Sequence, residues 1–536
     1  MPTFFLDDQP IEFSPGDTIL KAVLEAGIEI PHYCYHPGLK ITAQCRQCLV
    51  EITDMGNGRG MPRLQASCST PAAEGMRVTQ NSEMAEWGHK LVNEFLLVNH
   101  PLDCPICDQA GECSLQNYAF RYGSGNSEMD YEKRVNGWRD VGSYIMLERN
   151  RCVQCSRCER FSRDIVGTHD FGAFLRGNEV TFDTYQDEQI THKFQGNLAD
   201  LCPVGCIMNR DWRFRKRAWK LKKTPTVCTG CATGCNITLE HHDNKVVRLR
   251  PRENGEVNRW WMCDEGRINF RQLNDRQTRP VEPLAKVGGS QTPATWDAVY
   301  QAITARVKEL DASGAQVVGI SDTHATNEEL FLFKSLLTAC GGEVYTPQAD
   351  GKPQETPPKG LEDAFIWSLI STDKSPNTGG AKALGLKGDG ANTAMLAALN
   401  AGPKVMFVLG DPLAGDAAMD AALAKAGLVV RITATGGAGN ASADVVLPGY
   451  TSAEKWGTFI NKDRRLQKLA PSIRPPAEAR SQTRILSELH AALGHGAPAG
   501  ENATQTDHAS RVYQALAGEI GAPAWEEIGP LGTTLG

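Results

Sequence analysis

The chain has 536 residues, a formal net charge of −7 and a pI near 6.0. That length gives room for roughly three or four domains with buried cores. The mild acidity carries no global nucleic-acid signature, and no apolar run reaches the roughly 18 residues of a membrane span. The first residues, Met-Pro-Thr-Phe-Phe-Leu-Asp-Asp, lack the basic and apolar regions of a secretory signal, so a reducing cytoplasm is expected. Sixteen of the 17 cysteines fall by position 263, and only Cys340 follows. In a reducing compartment, thiols gathered this way read as metal ligands rather than disulfides.

In chain order, residues 3–6 and 11–13 predict a hairpin. Thr18 caps a helix to about Ala26, and Gly27 ends it. Cys34 follows, then Cys45 and Cys48 ahead of an apolar strand at 49–52, then Cys68. Thiolates in a loop before a strand suit a 2Fe–2S cluster, with a four-cysteine zinc site as the alternative. The ten-residue first gap departs from the plant-type spacing. A helix starting at Asn81 or Ser82 runs through Trp87, Leu91 and Phe95 and ends before His100-Pro101. Cys104, Cys107 and Cys113 come next. Three thiolates hold three irons of a cubane; His100 is the best-placed fourth donor and Asp103 its rival.

A short strand at 145–148 leads into Cys152-x2-Cys155-x2-Cys158, the start of a bacterial ferredoxin run. Ser162 stands where that run has its fourth cysteine. Cys202-Pro203 carries the matching Cys-Pro, so Cys202 is assigned as fourth ligand of a 4Fe–4S cluster. Cys206, its rival, is read as a buried packing thiol. Residues 213–223 are strongly basic and read as a solvated face, with a contact to an acidic partner or another domain as the alternative. Cys228, Cys231 and Cys235 are followed by Cys263, with a hairpin predicted at 237–240 and 246–250. From about residue 276 the pattern changes to apolar strands at 317–320, 405–409, 428–432 and 445–447, alternating with helical stretches at 328–338 and 413–426. That is an α/β region with parallel strands. Gly and Pro punctuate 341–403 and 494–507, which read as loops or linkers. Leu409-Gly410-Asp411-Pro412 ends a strand, where α/β sheets bind ligands. Cys340 reads as a packing thiol.

The first spacing resembles the 2Fe–2S domain of respiratory complex I and of iron-only hydrogenases. The fourth resembles the cluster domain of molybdopterin-dependent oxidoreductases, and Ser321–Thr323 with Asn327-Glu328-Glu329, Ala443–Pro448, Ala453-Glu454-Lys455 and 457–461 in the tail resemble the same superfamily. Taken together, residues 1–275 resemble the large iron–sulfur subunit of the NADH module of bacterial respiratory complex I. The fold class expected is an α+β ferredoxin-like 2Fe–2S domain with further cluster-binding domains, followed by an α/β molybdopterin-oxidoreductase-like domain. The boundaries expected are 1–80, 81–120, 121–220, 221–275 and 276–536, the last without molybdopterin. The resemblance implies one 2Fe–2S cluster on Cys34, Cys45, Cys48 and Cys68. It implies 4Fe–4S clusters on His100, Cys104, Cys107 and Cys113; on Cys152, Cys155, Cys158 and Cys202; and on Cys228, Cys231, Cys235 and Cys263. It further implies electrons arriving from an FMN-bearing NADH-oxidising subunit and leaving toward quinone-side iron–sulfur subunits, with a small 2Fe–2S subunit alongside. The resemblance also implies that the fourth cluster lies off that route and that the chain acts peripherally on the cytoplasmic side of the inner membrane. No G-x-G-x-x-G follows a strand and no Walker loop appears, so no nucleotide site is expected on this chain. The alternative is the electron-transfer subunit of a soluble NAD-linked hydrogenase or formate dehydrogenase.

Overall fold

The structure is a computed structural model that describes all residues except 128, 311–315, 348–355, 387–390, 412–416, 438, 497–504 and 536. Two compact units emerge: residues 1–221 with 356–367, and residues 222–355 with 368–536.

The first unit begins with a five-stranded sheet. Strands Thr3–Leu6 and Gln9–Glu12 form the predicted hairpin, and Thr3–Leu6 pairs in parallel with Met76–Thr79. Leu49–Met55 and Gln65–Ala66 complete it. Helix Ile19–Glu25 lies against this sheet because Ile19, Leu20 and Val23 share one face and are wholly buried with Phe4, Val50 and Ile52. Thr18 caps it by accepting from the Lys21 N–H at 3.3 Å. Helix Glu83–Leu97 starts at Ser82, whose hydroxyl accepts from the Ala85 N–H at 3.2 Å. Ile145–Glu148 pairs with Trp138–Asp140 on one side and Ile207–Asn209 on the other. The segment 356–367 joins this unit through Trp367, whose indole N–H donates to Val166 O at 3.1 Å.

The second unit opens with an antiparallel sheet, Lys222–Val227, Asn236–His242 and Lys245–Pro251. Its centre is a seven-stranded sheet. Five strands are parallel, in the order Val445–Pro448, Leu428–Thr433, Val405–Leu409, Val317–Ser321, Glu343–Tyr345. The antiparallel hairpin Leu284–Val287 and Ser290–Pro293 extends one edge. Alternate residues feed two cores: Val405, Phe407 and Leu409 face the one with Phe333 and Leu336, whereas Met406 and Val408 face the one with Met395 and Leu399. Burial on both faces is why these strands read as unbroken apolar runs.

Residues 341–403 are not the loop the sequence suggested. Helices Phe365–Ser368, Thr378–Ala383 and Ala391–Asn400 lie there, together with strand Glu343–Tyr345. Of the helix predicted at 413–426, Ala417–Lys425 is seen and the first residues lie outside the described ones. The predicted linker at 494–507 lies largely outside them too.

Candidate iron–sulfur sites

The first thiol tetrad sits in loops ahead of strand Leu49–Met55. Cys34 is within hydrogen-bond reach of Cys45 and Cys68, and Cys48 of Cys68. The N–H groups of Tyr33 and Cys34 both donate to Cys45 Sγ at 3.4 Å. Ala43 and Arg46 adopt positive φ, which turns the loop tightly around the sulfurs. The hydrogen bond from Cys68 lowers the Cys48 thiol against its burial, while the Cys34 sulfur pushes the Cys45 and Cys68 thiols up.

The second group follows helix Glu83–Leu97. Burial, reinforced by Arg151 and Lys133, lowers the His100 imidazole to about 4, so the ring is neutral near pH 7. Its Nδ1 is buried and has no hydrogen-bond partner among the described residues. A neutral imidazole with an unspent buried nitrogen is the state a metal requires. The rival Asp103 is engaged: its Oδ2 accepts from Arg151 Nε at 3.0 Å and Nη2 at 2.7 Å. Cys113 stands at the N-cap position of helix Ser114–Tyr122, and burial pushes its thiol up to about 11 against the nearby N–H groups of Gln116 and Leu115. Cys104 is exposed, whereas Cys107 and Cys113 are buried. A Cβ placed on Gly205 would lie 2.1 Å from Cys107 Sγ, so only glycine lets that backbone approach the sulfur.

In the third group, Gln154 and Ser156 take positive φ. The chain thereby curls back and the Gln154 N–H donates to Cys152 Sγ at 3.3 Å. Cys202 ends helix Gly196–Leu201 and accepts from the N–H groups of Val204, Cys206 and Ile207. Cys206 is buried, and the neighbouring thiols of Cys152 and Cys202 push its own thiol up. Ser162, at the vacant ferredoxin position, is fully buried.

In the second unit, Cys228, Cys231, Cys235 and Cys263 line one small pocket with Gly230, Gly266 and Lys374. The Gly266 N–H donates to Cys263 Sγ at 3.4 Å, and a Cβ on Gly266 would come within 2.9 Å of Cys228 Sγ. Burial pushes the Cys228 thiol up to about 12. Such a site favours neutral thiols until a positive centre binds them. Cys340 stands apart, half-buried at a helix end, 3.9 Å from His495 Nε2.

Every tetrad thus supplies sulfurs met by backbone N–H groups, and two supply a glycine cradle. That donor set fits iron–sulfur clusters, whose potentials depend on hydrogen bonds to sulfur and on nearby charge. Among the described residues no three His, Cys, Asp or Glu side chains close tightly enough for one metal ion.

Sequence reasoning missed the guanidinium groups. Arg160 is 1% exposed and its Nη2 donates to the carbonyls of Cys34 at 2.5 Å and Cys155 at 3.2 Å. It therefore ties the first tetrad to the third. Arg217 Nη1 donates to Cys107 O at 2.7 Å, so the run at 213–223 is not simply a solvated face. The only sequence hint was the density of arginines around Cys158.

Family models match in the same order. They are a 2Fe-2S iron-sulfur cluster binding domain over 1–83 and an NADH-ubiquinone oxidoreductase-G iron-sulfur binding region over 90–128. The ferredoxin-like domain of NADH-quinone oxidoreductase subunit 3 matches 142–208. The molybdopterin oxidoreductase Fe4S4 domain matches 221–275, and molybdopterin oxidoreductase matches 371–492. Fold and sites together define an iron–sulfur protein with 2Fe–2S and 4Fe–4S domains and a molybdopterin-oxidoreductase-type tail. Within that class the chain is a homologue of the NADH-ubiquinone oxidoreductase 75 kDa subunit and its bacterial NADH-quinone oxidoreductase counterparts. The counterpart from Rickettsia bellii (strain RML369-C) is 36% identical over 378 residues, 69% of this chain and 54% of that protein. The NADH-ubiquinone oxidoreductase 75 kDa subunit of Reclinomonas americana is 35% identical over 341 residues, 64% of this chain and 48% of that protein. The chain spans about half the length of the curated relatives it matches. Among solved structures, an NAD+-reducing NiFe hydrogenase in the H2-reduced state shares 32% identity. It covers 40% of this chain and 90% of its own, at a TM-score of 0.36.

Proposed function

We propose that this chain is the iron–sulfur electron-transfer subunit of a respiratory complex I. It relays electrons from an FMN-bearing NADH-oxidising subunit toward quinone-side iron–sulfur subunits. The observation that carries this reading is the joining of three ligand groups inside one unit: Arg160 bridges the first and third, and the 202–206 loop lies against both Cys107 and Cys152. Cys34, Cys45, Cys48 and Cys68 hold a 2Fe–2S cluster. His100 with Cys104, Cys107 and Cys113, then Cys152 with Cys155, Cys158 and Cys202, then Cys228 with Cys231, Cys235 and Cys263, hold 4Fe–4S clusters.

When bound, these clusters supply one-electron carriers. The chain's residues supply position and potential. Backbone N–H groups stabilise the thiolates, Arg160 and Arg151 place positive charge beside the first three groups, and burial keeps His100 neutral. The Cys228 group belongs to the second unit and serves off the main route. The chain works peripherally on the cytoplasmic side of the membrane, docked to the NADH-module and quinone-side subunits.

Iron and sulfide analysis of the purified chain, with EPR after dithionite reduction, tests this. About 14 irons per chain are expected, with one 2Fe–2S signal among 4Fe–4S signals. About 10 would mean one cubane position is not filled. A colourless, EPR-silent zinc protein would overturn the reading.

A further inference from the structure

The ligand assignment leaves one buried thiol over. Cys206 is 4% exposed, and its sulfur lies within hydrogen-bond reach of both Cys152 and Cys202. A cysteine that only fills space turns its sulfur toward hydrocarbon; this one faces two thiols of the third group. Its backbone holds it there. Cys206 O accepts from the Glu148 N–H at 2.7 Å, and the next residue starts a strand in register with Ile145–Glu148, Ile207 opposite Leu147. The intervening loop is short, and its N–H groups converge on Cys202 Sγ. Gly205 cannot carry a side chain without striking Cys107 Sγ, so the loop has little freedom to turn Cys206 away.

We propose that Cys206 is a reserve ligand of the third cluster, able to take the iron position of Cys202 or of Cys152. The proposal rests on the reading that this group holds a 4Fe–4S cluster. In the exchange, one Fe–S bond to the outgoing cysteine breaks and one to Cys206 forms. The Cys206 thiol gives up its proton and the outgoing thiolate takes one up, so charge balances and no iron changes oxidation state. The arrangement keeps this cluster bound when Cys202 or Cys152 is lost, and not when Cys155 or Cys158 is.

The test uses the full chain, purified anaerobically, and reads iron, sulfide and EPR rather than activity. Cys202→Ala and Cys152→Ala are each compared with the wild type and with the double variant that adds Cys206→Ala. Each single variant should keep its iron to within about one atom per chain, with an altered line shape for this cluster, while each double loses about four irons. Cys206→Ala alone should keep the full complement. Retention in either single variant that is lost in its double supports the proposal. Loss of about four irons in both single variants, whether or not the 2Fe–2S signal persists, overturns it, as does retention in both doubles. A wild-type chain already short by about four irons would instead overturn the cluster reading beneath it.

Discussion

The two units dispose of buried charge differently. In the first, buried guanidinium groups reach the ligand loops: Arg160 serves the carbonyls of Cys34 and Cys155, and Arg151, paired with Asp103, also lies beside Cys107. In the second, buried cations meet carboxylates. Arg279 makes a two-pronged pair with Glu454 at 2.9 and 3.0 Å, and Lys455 Nζ holds both oxygens of Glu329 at 2.9 and 2.7 Å. Paired buried charges of this kind add little net stability, whereas a cation beside thiolates shapes a redox potential. The second unit does keep a cavity of about 260 Å³ at the carboxyl edge of its parallel strands, the position where α/β sheets bind ligands. Its acids are already engaged: Asp411 by Arg431, Glu329 by Lys455, and Asp322 by the Asp411 and His324 N–H groups. The first unit is thus organised around its ligand loops and the second around its sheet.

Removing one ligand from each unit breaks that contrast most sharply. Cys155→Ala should lose about four irons and bring NADH–quinone turnover of the assembled complex to background, while NADH oxidation by an artificial acceptor persists. Cys235→Ala should lose a similar amount of iron and leave turnover near that of the parent. Equal loss of turnover in both variants would put the fourth group on the route.

Gly205→Ala probes the junction inside the first unit. The new methyl group would meet Cys107 Sγ at 2.1 Å, so either the sulfur or the loop must move. Expected are loss of the His100-group EPR signal and a destabilisation on the order of 1–3 kcal/mol, read by EPR and thermal unfolding. A smaller effect comes from Arg160→Met, which removes a buried cation while keeping most of the side-chain volume. Midpoint potentials of the first and third clusters should both fall, on the order of tens of millivolts, in an EPR-monitored redox titration. A shift in only one of them would mean that Arg160 does not serve as the bridge.

How much of this was legible in the sequence depends on the reach of each interaction. The Cys152–Cys158 and Cys228–Cys235 loops are contiguous, so spacing exposed them. Strands such as Val405–Leu409 declared themselves as short apolar runs, since both faces are buried. Arg160 did not, because its carbonyl partners at Cys34 and Lys40 lie more than 100 residues away. Cys206 read as a packing thiol because its neighbour Cys152 is brought to it by pairing of Ile145–Glu148 with Ile207–Asn209. The glycines at 379 and 380 suggested a loop, yet they sit in helix Thr378–Ala383. A Cβ on Gly379 would come within 2.5 Å of Asn461 O, and one on Gly380 within 1.9 Å of Asn327 Oδ1. They are there for close packing, which composition cannot separate from chain breaking.

The smallest expected effect on electron transfer, and a direct test of the tail's sheet-centred design, comes from Glu328. This fully buried carboxyl accepts from the Thr458 hydroxyl at 2.7 Å and the Thr458 N–H at 2.9 Å. Among the described residues it has no cation of its own, unlike neighbouring Glu329. Burial raises it from 4.5 to about 7. Below the unfolded value both states are protonated and nothing is lost. Between about 4.5 and 7 the unfolded chain ionises while the folded one holds its proton, so stability falls as pH rises, by roughly 3 kcal/mol at most. Above that range both states are ionised and the loss is constant. Thermal unfolding of the full chain across pH 4.5–8 should therefore show a decline that flattens in Glu328→Gln, while cluster EPR signals stay unchanged. An identical slope in the variant would assign the decline to other groups. A changed EPR spectrum would contradict the separation of roles, because the tail's buried charge would then reach the clusters.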